Sequence, residues 1–257
     1  MSTLRVGSLF SGIGGIELGL ERAGMRVVWQ VENDPYAVEV LQKHWPKVRR
    51  YGDVRTFNGK EAEPIDVLCG GFPCQDTSQA NGYWSQEGLD GARSGLWSEF
   101  ARIIGETRPI FVLIENVPAL LRNGFGRVLH DLHARGYDAE WQTVSAAAVG
   151  APHLRERLFT VAYARRYGLQ GLPAIKVRRF SAFQDWSRLG CAAEITRGPD
   201  PRTPTLYRKD DGVSAALGGD RIGDQLRCIG NAVVPQVAQL FGESIVSAYK
   251  QIKKGSR

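Results

Sequence analysis

An apolar run, a glycine-rich turn and a helix, in that order within the first 23 residues, constrain this chain's fold more than any other feature. Leu4–Phe10 reads as a strand, Phe10-Ser11-Gly12-Ile13-Gly14-Gly15 as the turn, and Gly14–Ala23 as a helix. Met25–Val31 is a second strand, and Pro35–His44 a helix with proline in its first turn. Ile65–Cys69 and Ile110–Glu115 are further strands, with a helix over Ser94–Thr107 between them. Strands that are apolar throughout and alternate with helices belong to a parallel sheet covered on both faces. Leu158–Tyr163 reads as a late strand of the same sheet. The expected fold class is α/β.

After Tyr163 the pattern breaks. Residues 165–220 are rich in Arg, Pro and Gly without sustained period, and carry Phe180, Phe183 and Trp186 close together. Periodicity returns at Asn231–Tyr249, an amphipathic helix with Asn231 in the cap position. The expected organisation is a main domain over 1–164, a small inserted module over 165–220, and a return to the main domain over 221–257. Charge follows the same division. Residues 1–164 hold 17 Lys+Arg against 19 Asp+Glu, whereas residues 165–257 hold 16 against 8. A basic half on a neutral half suits a polyanionic partner, because phosphate neutralisation supplies most non-specific affinity for nucleic acid. The four cysteines show neither zinc-ligand spacing nor a disulfide framework, so no metal is expected. Apolar runs fall far short of the roughly 20 residues a membrane span needs, and the amino terminus lacks a signal-peptide layout. These features predict a cytoplasmic protein with free thiols and no membrane partner.

The turn carries the first chemistry. Gly12 and Gly14 let backbone approach a ligand closely, and Glu32 lies 20 positions after Gly12 at the end of the second strand. That spacing suits a carboxylate binding ribose hydroxyls, and Asp53 is placed to hold an adenine amino group. Turn glycines and surface acids are the plainer alternatives. The fingerprint G-x-G-x-x-G is incomplete, because Glu17 stands at its third glycine. This disfavours a pyrophosphate cofactor such as NAD and suits S-adenosylmethionine, which has adenosine but no phosphate to cradle.

Two further strand ends carry reactive side chains. Cys74 follows Gly70-Gly71-Phe72-Pro73 directly after an apolar strand, where ligands bind in parallel sheets. A thiol there is placed to act as a nucleophile once its pKa is lowered or its proton removed. Glu115, in Ile114-Glu115-Asn116-Val117-Pro118, ends another buried strand, where a carboxylate has no packing purpose. It can donate a proton to a ring nitrogen if burial raises its pKa, or simply cap the following helix. Arg155 and Arg157 alternate in His153-Leu154-Arg155-Glu156-Arg157, so an extended segment points both to one face. Paired guanidiniums suit a phosphate, a carboxylate or a base carbonyl. A solvated strand edge is the alternative.

Taken together and in order, FSGIGG, ENDPYA, GDV, GGFPCQ, ENV, RER and IGNAVVP closely resemble the cytosine-5 DNA methyltransferase family. The resemblance spans nearly the whole chain except 165–220. It implies a Rossmann-like S-adenosylmethionine-dependent sheet with a small inserted target-recognition module. It implies cofactor contacts at Phe10, Gly12, Gly14, Glu32, Asp53 and the Asn231 region. It further implies that Cys74 is the nucleophile, that Glu115 is the acid at the cytosine edge, and that Arg155 and Arg157 hold the base. Double-stranded DNA is the implied partner, with a cognate restriction endonuclease as a companion. Gln75–Ser94 is the expected closing loop, in which Arg93 meets a phosphate. Two positions depart from the family: His153 stands where glutamine is usual, and Asn33 follows Glu32 where an aromatic is frequent. The module's usual closing arginine is represented only by the candidates Arg208 and Arg221. The alternative activity is methylation of transfer RNA by the same family branch; a non-catalytic relative and an NAD oxidoreductase fit the residues less well.

Overall fold

The computed structural model describes residues 3–73, 96–151, 153–175, 224, 228 and 230–255. Seven strands form one sheet: β1 (Arg5–Leu9), β2 (Arg26–Val31), β3 (Arg49–Tyr51), β4 (Val67–Gly70), β5 (Phe111–Asn116), β6 (Tyr137–Ser145) and β7 (Glu156–Ala164). The helices are α1 (Gly15–Arg22), α2 (Pro35–His44), α3 (Leu96–Thr107), α4 (Phe125–Ala134) and α5 (Pro235–Gly255). Strand order is β3-β2-β1-β4-β5-β7-β6. The α/β class and the expected strands are present.

The sheet is mixed, which corrects the expectation of parallel strands throughout. β1 to β5 run parallel, whereas β7 pairs antiparallel with both β5 and β6. The reason lies in the connections. A helix separates β1 from β2, β2 from β3 and β4 from β5, but only a short 3-10 turn (Ala146–Val149) and a loop separate β6 from β7. Without a crossover helix the chain returns beside itself in the opposite direction.

Apolar side chains cover both faces. On one, α1, α2 and α5 supply Ile16, Leu20, Leu41, Phe241 and Ile245 against Val6, Val67 and Phe159. On the other, α3 and α4 supply Trp97, Phe100, Ile104, Val128 and Leu132 against Leu68, Val112 and Ile114. Phe159 and Phe241 stack with ring centroids 4.6 Å apart, fixing the last helix to the sheet. α1 meets α5 through Gly19, where any side chain would strike the Pro235 carbonyl and Ala238.

The long C-terminal helix starts later than its sequence suggests. Asn231 is itself helical, as are Asp224, Cys228 and Gly230, and Ala232–Val234 separate it from Pro235. Proline suits the first position of α5, where its missing N–H is not needed. Asn231 therefore does not cap α5. No helix among the described residues is long and apolar enough to cross a membrane.

β1 lies between β2 and β4, so successive crossovers leave it in opposite directions. A crevice opens outside the carboxyl ends of strands at such a switch point. Of the strand-end residues singled out above, Phe10, Glu32 and Glu115 are described and lie along that edge.

Candidate active site

Phe10 leaves β1 with φ 53°, followed by Gly12 at φ 52° and Gly14 at φ 87°. A left-handed backbone costs a non-glycine residue of order 1 kcal/mol, so the turn at Phe10 is held by its surroundings. Ser11 N–H bonds the Val31 carbonyl (3.2 Å) and Gly14 N–H bonds the Ser11 carbonyl (3.0 Å). Gly14 caps α1, and the Trp45 indole fills the space a side chain there would need. Trp45 is anchored by its own N–H, which donates to Glu21 Oε2 at 2.9 Å.

The 20-residue spacing between Gly12 and Glu32 closes as a direct bond. Gly12 N–H donates to Glu32 Oε2 at 2.7 Å, while Asn33 and Asp34 N–H donate to Oε1 at 2.9 and 2.8 Å. The direction in which a Gly12 side chain would point is open, with no atom of the described residues beyond its chain neighbours within 4 Å. A carboxylate fixed beside an open, glycine-lined turn fits the ribose of an adenosine ligand such as S-adenosylmethionine. Asp53 lies just past β3 with its side chain 41% exposed, and its Oδ1 accepts the Arg55 N–H at 2.9 Å. Arg102 of α3 holds this segment by donating to the Val54 and Phe57 carbonyls, each at 3.0 Å. Beside it, Arg49, Tyr51, Asp53, Thr56, Phe57 and Glu61 line a cavity of about 310 Å³.

Glu115 ends β5 facing the β4 exit. Arg157 Nε lies 2.9 Å from Glu115 Oε1. Burial pushes the Glu115 carboxyl above its ordinary range, and the nearby Arg157 and Arg155 only partly oppose this. Arg155 donates to the Gly230 carbonyl at 2.6 Å, and its Nε is buried without a hydrogen bond. Burial, reinforced by Arg157, pushes its pKa down to about 10, so it keeps its charge at neutral pH. Both arginines thus bear on Glu115, as their alternation suggested, but Arg155 also ties this site to the segment that carries Asn231.

Gly71 passes so close to Glu115 that a Cβ there would sit 2.6 Å from Oε2. Next to it, Asn116 performs a task not visible in the sequence. Its Nδ2 donates to the Phe72 carbonyl at 3.1 Å and its Oδ1 accepts the Val117 N–H at 2.8 Å. This buried amide fixes the segment leading to Cys74 against the end of β5. An amide between two strand ends is its only signal in the sequence. Phe72 in turn packs on Trp97 and Phe100.

Cys74, the Gln75–Ser94 loop with Arg93, and most of the 165–220 module, including Arg208, lie outside the described residues, as does Arg221. Phe10, Gly12, Gly14, Glu32, Asp53, Glu115, Arg155 and Arg157 all fall at the carboxyl edge of the sheet or the loops beside it. Asn231 is exposed, four residues before the α5 start. Two residues later, the Val233 carbonyl lies against Gly15 in the first turn of α1. Among the described residues no group of three or more His, Cys, Asp or Glu is placed to hold a metal ion.

Comparison with known proteins bears on the family and the fold. The chain is 41% identical over 167 residues to the type II methyltransferase M2.BsuMI of Bacillus subtilis, covering 62% of this chain and 42% of the relative. It is 30% identical over 187 residues to type II methyltransferase M.HhaI of Haemophilus parahaemolyticus, covering 71% and 56%. The chain therefore spans about half the length of these curated relatives. Among solved structures, the Entamoeba histolytica methyltransferase EhMeth superposes with a TM-score of 0.73 at 15% identity, covering 96% of this chain and 99% of that one. That likeness shows the fold alone. The model of the C-5 cytosine-specific DNA methylases matches residues 4–205, from the first strand into the module, and the chain belongs to that family.

Proposed function

We propose that this chain transfers a methyl group from S-adenosylmethionine to carbon 5 of a cytosine flipped out of double-stranded DNA. The observation that carries this reading is Glu115, an acid held by burial above the ordinary carboxylate range at the exit of β5, with Gly71 and Phe72 beside it. When bound, S-adenosylmethionine supplies an electrophilic methyl group. Gly12, Gly14 and Glu32 hold its adenosine end, with Phe10, Asp53 and the Asn231 segment around it.

Cytosine carbon 5 is a poor nucleophile. The Cys74 thiolate forms a bond to carbon 6, and the ring electrons displaced are accommodated as Glu115 gives its proton to ring nitrogen 3. Carbon 5 becomes enamine-like and would bond the methyl carbon as that carbon's bond to the sulfonium sulfur breaks, with the neutral thioether, S-adenosylhomocysteine, as leaving group. A base then removes the carbon-5 proton, the ring double bond re-forms, Cys74 leaves as thiolate and nitrogen 3 returns its proton to Glu115. Arg157 and Arg155 hold the base and balance the charge Glu115 acquires. Flipping costs a few kcal/mol, which contacts to the extruded base offset. The basic residues of 165–220 form the target-recognition module, with 1–164 and 221–257 as the catalytic frame. A cognate restriction endonuclease and a cytoplasmic location complete the proposal.

Transfer of a labelled methyl group to duplex DNA and to transfer RNA, measured side by side, tests it. Label in DNA is the expected result, and label in RNA only overturns the substrate assignment. Cys74→Ser abolishes turnover while cofactor binding persists; retained turnover removes Cys74 from the reaction. Bisulfite sequencing of DNA from expressing cells then reads the target site.

A further inference from the structure

Beneath the cofactor turn lies a buried polar group that the methyl-transfer chemistry does not use. Glu17 is wholly buried in the first turn of α1, three residues beyond Gly14, and neither carboxyl oxygen has a formed hydrogen bond. Gln30 of β2 is equally buried, and both atoms of its amide also lack a partner. Between β2 and β4 runs Ser8, which sits in register with Gln30 on one side and Cys69 on the other. Ser11, from the turn itself, donates its hydroxyl to Ser8 Oγ at 3.0 Å. Four polar side chains are therefore gathered under α1 in a layer that is otherwise apolar.

We propose that Glu17 is a positioning residue for the cofactor site: as an un-ionised acid it seats the Ser11–Gly15 turn over the Ser8–Gln30 row, and its ionisation unseats that turn. The inference rests on the S-adenosylmethionine reading given above. The Ser8 and Ser11 hydroxyls act on the Glu17 carboxyl and the unpaired Gln30 amide lies in register with Ser8; a protonated carboxyl offers such a set both a donor and an acceptor. A carboxylate offers acceptors only, and among the described residues no cation acts on its buried charge. Among the described residues, two titratable groups bear on Glu17. Glu32, at the end of β2, repels a Glu17 carboxylate. The Cys69 thiol of β4 is pushed up by burial and by Glu17, so it stays protonated. Ser8 and Ser11 pull the other way, and burial prevails, leaving Glu17 to titrate at about 7. Glu32 is the residue whose carboxylate holds Gly12, so a charge on Glu17 acts directly on the proposed ribose anchor.

The test is calorimetric binding of S-adenosylmethionine to the full chain between about pH 6 and about pH 8.5. The un-ionised fraction of a group titrating at about 7 falls roughly thirtyfold across that range. Affinity of the native chain is expected to fall by about that factor, and affinity of Glu17→Gln to stay near the native low-pH value. The ligand's own α-amino group titrates near ~8, so the difference between the two proteins carries the decision. Equal pH profiles overturn the inference and leave the cofactor reading standing. No binding by either protein at any pH overturns the cofactor reading, and this inference with it. If Glu17→Gln does not fold, a pH-independent affinity of the native chain is by itself sufficient to overturn it.

Discussion

Arg157 Nε lies 2.9 Å from Glu115 Oε1, and Glu115 nevertheless holds its proton more tightly than an ordinary carboxylate. Loss of hydration in the buried site outweighs the attraction of the cation beside it. The pair therefore combines an acid able to donate with a cation ready to stabilise the carboxylate left behind. Glu115→Gln removes the transferable proton and keeps the shape. Methyl transfer falls by about 10²- to 10⁴-fold, with S-adenosylmethionine affinity unchanged, as single-turnover rates and calorimetry would show. A loss confined to cofactor affinity would place Glu115 in the wrong half of the site.

Glu32→Ala removes three backbone N–H bonds, including the one to Gly12. Hydrogen bonds to charged groups contribute about 1.5–3 kcal/mol each, so loss of one ligand contact weakens cofactor binding by about 10- to 150-fold. Equilibrium dialysis against labelled S-adenosylmethionine measures it. Unaltered affinity would dissociate Glu32 from the ligand.

Asn116→Ala strands the Phe72 carbonyl and the Val117 N–H at a buried strand end. An unsatisfied buried group costs about 1–3 kcal/mol, which lowers Tm by about 2–12 °C in a chain of this size. Because the same amide fixes the segment leading to Cys74, turnover drops as well, even at temperatures where the variant is fully folded. Melting curves and rates at low temperature separate the two effects.

Glu17 also makes folding stability depend on pH. Its carboxyl titrates at about 7 in the folded chain against 4.5 ordinarily. The folded chain thus keeps a proton that the unfolded chain has already released. Stability is whole below about pH 4.5, falls as pH rises, and levels off above about 7, with about 3 kcal/mol lost. Glu115 adds in the same direction. Urea melts across this range should show a shallower fall for Glu17→Gln, and parallel curves would contradict the assignment.

Much of this could be seen in the sequence, for definite reasons. β1, β2, β4 and β5 are buried on both faces, so apolar residues dominate them, with Ser8 and Gln30 as buried polar exceptions and Glu115 and Asn116 at the end of β5. The distance from Gly12 to Glu32 reflects one helix and one strand, so counting brings the two to the same end of the sheet, whereas the bond between them is seen only in the structure. β6 was missed because it is an edge strand with Glu140, Trp141, Gln142 and Thr143 all exposed. β3 is three residues long and two of them are arginine. α4 buries only Phe125, Val128 and Leu132 among polar neighbours, too sparse a stripe to stand out. The direction of β7 depends on the connection before it, not on its composition. Asn116 and the unpaired Glu17–Gln30 set depend on contacts between distant segments, which no local pattern encodes.

Where the chain leaves the sheet after β7, Leu169, Leu172 and Ile175 lie on the core, and the Ser244 hydroxyl of α5 holds the Pro173 carbonyl at 2.7 Å. Where it comes back, Cys228 packs with Ile13, Tyr36 and Val40, and Gly230 is gripped by Arg155. Both ends of the intervening stretch are thus clamped by the frame. The entropy of closing a loop between fixed ends grows only with the logarithm of its length, by about 0.6 kcal/mol per doubling. The frame is in effect a socket: longer or shorter inserts can be exchanged there at little thermodynamic cost, so on the proposed function the segment that reads DNA can diversify while the reacting frame stays constant.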